Sequence, residues 1–119
     1  MDTRHQKRTE IVQDLFAYSF KQDLQNLPYA ASTTQDIIRH IPAIDAMISS
    51  LAIKFPIDKI AKIDLSILRL AVYELSINKI QPQKVVINEA IELAKELGGD
   101  KSYSFINGVL GKLMKKDET

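Results

Sequence analysis

KVVINEAIELAKELGGDKSYSFINGVL, residues 84–110, sets two helical patterns around a Gly-Gly-Asp break. An apolar ladder ends at Leu97, the chain turns through Gly98, Gly99 and Asp100, and a second ladder starts behind Lys101 and Ser102. In that second ladder Phe105, Ile106, Val109, Leu110 and Leu113 recur at the spacing that buries one stripe of a helix. Lys101 and Ser102 fall on its first turn, where exposure is expected. The pattern predicts a helix hairpin whose polar elbow is open to a partner.

Upstream of the hairpin, residues 65–77 read LSILRLAVYELSI, apolar nearly all round, which predicts the central helix of the fold with Asp64 as its N-cap. Arg69 and Glu74 are its exceptions. Burying either one unpaired costs several kcal/mol, so each is expected to reach the surface or find an opposite charge, with Glu89 and Lys95 as candidates. Before Asp64, a short helical turn is expected near residues 58–62, and Phe55-Pro56 closes a helix that buries Ile44, Met47, Ile48 and Leu51. Pro42 is expected to kink the helix or restart it near Ile41, and Ser32 with Gln35 three residues on has the form of a capping box. The first helix is expected over about Thr3 to Lys21, with Ile11, Leu15 and Tyr18 on one side and Val12, Phe16 and Phe20 adjoining them. Its first two turns carry no apolar residue, so residues 1–8 read as an exposed basic arm bearing Arg4, His5, Lys7 and Arg8. No segment alternates with period two. The class is all-α, one domain over residues 1–119 with six or seven helices and a ragged tail from Lys115 to Thr119.

The totals narrow the function. A chain of 119 residues with 45% apolar content supports one moderate core. The net charge of +1 argues against coating nucleic acid by bulk charge and leaves only local clusters, one in the arm and one at Lys112, Lys115 and Lys116. Absence of cysteine removes disulfides, thiolate metal sites and cysteine nucleophiles, in keeping with a cytoplasmic setting. No apolar run approaches a membrane span.

Enzyme chemistry needs convergent groups, and the inventory is thin. His5 and His40 are the only imidazoles, with His5 on the arm and His40 expected on a helix surface, neither with a metal-ligand spacing. There is no G-x-S-x-G elbow, and Gly98-Gly99 lacks the lysine and hydroxyl of a phosphate loop, so it reads as a helix stop. Catalysis, cofactor and metal are therefore not expected. Binding is the alternative: a basic arm and the aromatics Phe16, Tyr18, Tyr103 and Phe105 are the ingredients of single-stranded nucleic-acid recognition, which uses cation contacts and base stacking.

Leu68-Arg69-Leu70-Ala71-Val72-Tyr73-Glu74-Leu75, then Val85 through Lys95, then Lys101-Ser102 and Phe105-Ile106-Asn107-Gly108-Val109-Leu110 closely resemble the NusB family of transcription antitermination factors. The resemblance is dense over the C-terminal half, extends to residues 8–16, and is loose over residues 25–62, where this chain looks short for the family. It implies an all-helical protein that binds the boxA element of ribosomal RNA leader transcripts together with NusE, a small-subunit ribosomal protein, within an RNA polymerase antitermination complex. It also implies a monomer or a homodimer. On the family's pattern Arg4, His5, Lys7, Arg8, Phe16, Lys101, Ser102 and Phe105 are expected on the RNA side and Asp64 near NusE. Here the arm is thinner in arginine than in the family, and Lys101 stands where the family can have an acid. Two rival readings accompany this one: a protein-interaction module without specific RNA binding, and the NusB-like domain found ahead of ribosomal RNA methyltransferases, which would require the chain to be a fragment.

Overall fold

Six α-helices follow one another in the computed structural model, which describes residues 3–118, with side chains through Lys115. The first two residues of the expected arm, the side chain of Lys116 and the end of the expected tail lie outside the described residues. The helices are α1 (Thr3–Lys21), α2 (Ser32–Arg39), α3 (Ile41–Leu51), α4 (Lys62–Ser76), α5 (Gln83–Leu97) and α6 (Ser102–Glu118), with short 3-10 turns at Leu24–Asn26 and Ile57–Lys59. The last helix continues through residues 115–118, so most of the segment expected as a tail is helical.

α4 is the hub, as its sequence predicts. It packs against α1, α5 and α3 and also touches α2 and α6, and every residue from Asp64 to Tyr73 is buried. A helix apolar on all faces can satisfy itself only by being surrounded. Its polar residues are spent on fixing its neighbours. Arg69 forks onto Asp45 of α3 with bonds of 3.0 and 2.8 Å, Glu74 accepts a fork from Arg8 of α1 at 2.9 and 2.8 Å, and the Tyr73 hydroxyl donates to Asp36 of α2. Arg69 and Glu74 are thus paired as expected, but with Asp45 and Arg8 in place of Glu89 and Lys95. Burial and the Asp36 carboxylate push the Tyr73 phenol up, while Arg39 and Tyr73 hold the Asp36 carboxyl below its usual range.

Two capping expectations are overturned. Ser32 is the first helical residue of α2, its cap position is Ala31, and no side chain of that segment caps it. The acceptor comes from α1. Asp14, fully buried, takes the N–H groups of Tyr29, Ala30 and Ala31 at 2.8, 3.2 and 3.0 Å and the Thr34 hydroxyl at 2.8 Å. Ala30 adopts φ 49° to turn successive N–H groups toward one point, a left-handed conformation costing an L-residue about 1–2 kcal/mol. The carboxylate offsets that strain. Likewise α4 starts two residues before Asp64, with Ala61 at the cap position, so Asp64 lies in the first turn, buried, its Oδ1 without a hydrogen-bond partner. The dipole of the helix N-terminus favours a carboxylate there.

Between α2 and α3, His40 breaks the helix and Pro42 enters the first turn of α3, as the proline predicts. α3 stops at Leu51, before Phe55-Pro56. Lys112 of α6 donates to the freed Leu51 carbonyl at 3.3 Å, so this lysine serves the end of α3 instead of its own helix.

Candidate functional site

α1 runs antiparallel to α4: Arg8 meets Glu74 near one end, and Phe20 meets Lys62 at the other, with the ammonium 5.4 Å from the ring centroid. Arg8 and Phe20 are twelve positions apart along the helix, about 18 Å at 1.5 Å per residue. The residues singled out from the sequence therefore fall into two groups at opposite ends of α4.

The arm end is folded down. The sequence places His5 on an exposed, unattached segment, yet its ring bridges two acids of α5, Nδ1 lying 2.6 Å from Glu89 and Nε2 2.9 and 3.0 Å from the two oxygens of Glu96. These bonds, that to Glu89 first, raise the His5 pKa above its ordinary value against the opposing effect of burial. Arg8 is 7% exposed, forked onto Glu74 and 4.0 Å from Glu89. Its guanidinium is a structural tie, not part of an open basic surface. Arg4 and Lys7 remain exposed and line a groove with Ile11, Tyr73, Glu74 and Ile80.

The elbow end is different. Lys101 and Phe105 line a groove of about 440 Å³ with Phe55, Lys59, Ile60 and Asp64. Phe105 is half-buried and meets the exposed Phe55 edge-on, with ring centroids 5.1 Å apart. Lys101 and Lys59 are exposed. Asp64, expected at a partner contact, thus shares this groove with two residues expected at RNA. Phe16 and Phe20 form a second edge-on pair at 4.9 Å, on the part of α1 nearest the start of α4.

Ser102 is not on display. It is buried, and its hydroxyl accepts the Gly99 N–H at 2.9 Å, closing the elbow. Gly98 makes that closure possible: a Cβ there would stand 2.4 Å from Ser102 Oγ and 2.7 Å from the Ala94 carbonyl. Nor do α1 and α6 lie side by side along their lengths. α1 packs on α4 and α2, while α6 packs chiefly on α5. Sequence reasoning missed Phe55 and Lys59, because only the crossing of the α3–α4 connection with α6 places them beside Lys101.

The described residues contain no cluster of acids and histidines suited to a metal ion and no helix long and apolar enough to cross a membrane. The family model described as NusB family matches residues 1–115. The chain belongs to the NusB family. A "Transcription antitermination protein NusB" of a Nitratiruptor species is 36% identical over 98% of this chain and 94% of its own length. Another, from Agathobacter rectalis, is 49% identical over 64% of this chain, a match spanning 58% of that relative. Among solved structures, NusB of T. maritima superposes with a TM-score of 0.81 at 32% identity, covering 96% of this chain and 92% of that one. A chain from the crystal structure of antitermination factors NusB and NusE in complex with dsRNA has a TM-score of 0.79 at 23% identity over 97% of this chain and 99% of that one, a likeness of fold. The all-helical fold that the resemblance to the NusB family implies is therefore shown.

Proposed function

We propose that this protein is a transcription antitermination factor, with no catalysis of its own, that binds boxA RNA of ribosomal RNA leader transcripts jointly with NusE and enters an RNA polymerase complex in the cytoplasm. The observation that carries the proposal is family membership across residues 1–115 together with an elbow groove that offers what single-stranded RNA needs. Lys101 and Lys59 hold phosphates, and the Phe55–Phe105 pair offers an aromatic surface to an unpaired base. At the far end of α4, Arg4 and Lys7 supply the arm's part of the contact. His5 and Arg8 act mainly through the acids they hold, and Ser102 acts by shaping the elbow. Phe16, paired with Phe20 on α1, offers a further aromatic face to RNA, and Asp64, at the floor of the elbow groove, is the residue assigned to NusE.

The test is a titration of labelled boxA RNA with this chain, with and without NusE, for the native protein and for Lys101→Glu combined with Lys7→Glu. Both positions are exposed, so the helical content is expected to stay unchanged while RNA affinity falls at least tenfold. Equal affinity of the double variant at low salt removes this RNA face. The pairing of His5 and Arg8 with acids lowers the local positive charge and favours one rival, a protein-interaction module for which RNA is incidental. Retention of NusE after nuclease treatment, with no preference for boxA over scrambled RNA, decides for it.

A further inference from the structure

His5 holds a carboxylate oxygen within hydrogen-bond distance of each ring nitrogen, Glu89 on Nδ1 and Glu96 on Nε2. Ionised carboxylates only accept, so both nitrogens must donate, and only the imidazolium has two N–H groups. The proton resides on the ring because the ordinary imidazole pKa lies about two units above that of a glutamate. We propose that protonated His5 is a two-pronged clasp that fastens the first turn of α1 to α5 and lets go of Glu96 when its proton leaves.

The surroundings determine how it opens. From α5 the ring faces Glu89 and Glu96, and Glu92 lines the same groove; from α1 the neighbouring charges are Arg8 and Glu10; from α4 Glu74 acts through Arg8. Glu89 is the more buried acid, with 18% of its side chain exposed against 47% for Glu96, and it has Arg8 as a second cation. The neutral ring therefore keeps its Nδ1–H on Glu89 and turns a lone pair toward Glu96, which is repelled into solvent. Glu96 lies in the last turn of α5, where the helix dipole already disfavours an acid, so it gains nothing by staying. Release removes one positive charge from the arm and uncovers one negative charge beside it. If the function proposed above holds, both changes act against RNA phosphates, and RNA affinity falls as pH rises.

The linkage has a definite sign. The folded-state pKa is raised, so the clasp's contribution to stability is fully present below the unfolded imidazole value of about 6.5 and is lost as pH rises through the folded value. NMR of the full chain, labelled with nitrogen-15, tests the clasp. Both His5 ring nitrogens are expected to carry protons at about pH 6.5, and the titration midpoint is expected to lie above the ordinary value and to drop in Glu96→Gln. Backbone order parameters at Arg4, His5 and Gln6, N-terminal to the Arg8–Glu74 tie, are expected to fall below about 0.85 through the same midpoint, and to stay constant with pH in His5→Gln. A His5 midpoint at or below about 6.5, or order parameters that ignore the ring titration, overturns the clasp. Absence of boxA binding at every pH overturns the function proposed above, while the ring measurement still decides the clasp.

Discussion

The two ends of α4 handle charge in opposite ways. At the arm end, His5 and Arg8 are drawn down onto Glu74, Glu89 and Glu96, so two of the arm's four basic residues are consumed in holding α1 to α4 and α5. At the elbow end, Lys59 and Lys101 stand exposed around an aromatic pair, and the buried Ser102 holds the turn shut beneath them. A run of cations in a sequence is thus a poor guide to where positive charge is displayed. Acids from distant segments decide it, because a guanidinium can be buried only beside a carboxylate.

Substitutions that break this contrast are ranked by how completely the fold consumes the group removed. The largest effect is expected at Asp14, further along α1, where Asp14→Ala strands three backbone N–H groups and a hydroxyl; unfolding in urea should show a loss of about 4 kcal/mol. Arg8→Ala leaves the half-buried Glu74 without its fork, and the same measurement should show about 2 kcal/mol. At the elbow, Gly98→Ala drives a methyl group into Ser102 and the Ala94 carbonyl, an overpacking cost of about 2 kcal/mol that a loss of Gly99 amide protection should accompany. Lys101→Glu sharpens the comparison from the other side. Stability should stay within about 0.5 kcal/mol of the native protein, while the salt slope of RNA binding drops by about 0.7, the value for one phosphate left without its cation.

Much of the architecture was legible in the chain itself. The apolar run 65–77 reads as a surrounded helix, Pro42 as a kink or a restart, and the Gly-Gly-Asp break as the end of one helix before another. The limits of α1 follow from the periodicity of residues 3–21, and all six helices are local consequences of apolar spacing and helix breakers. The resemblance to the NusB family rests on the same C-terminal residues. What eluded the sequence were the caps and the partners. Ser32 and Asp64 have the chemistry of N-caps, but α2 receives its acceptor from Asp14, and α4 begins earlier, at Lys62.

By itself, then, the sequence determined the helices, their order and the family, because backbone geometry and apolar periodicity act over a few neighbouring residues. Tertiary structure alone decided which charges are spent and which are shown. Arg8 and Glu74 are 66 residues apart, and His5 and Glu96 are 91 apart. Each carries the same charge in any sequence window, and only the packing of α1 against α4 and α5 removes the water that would otherwise keep those partners independent.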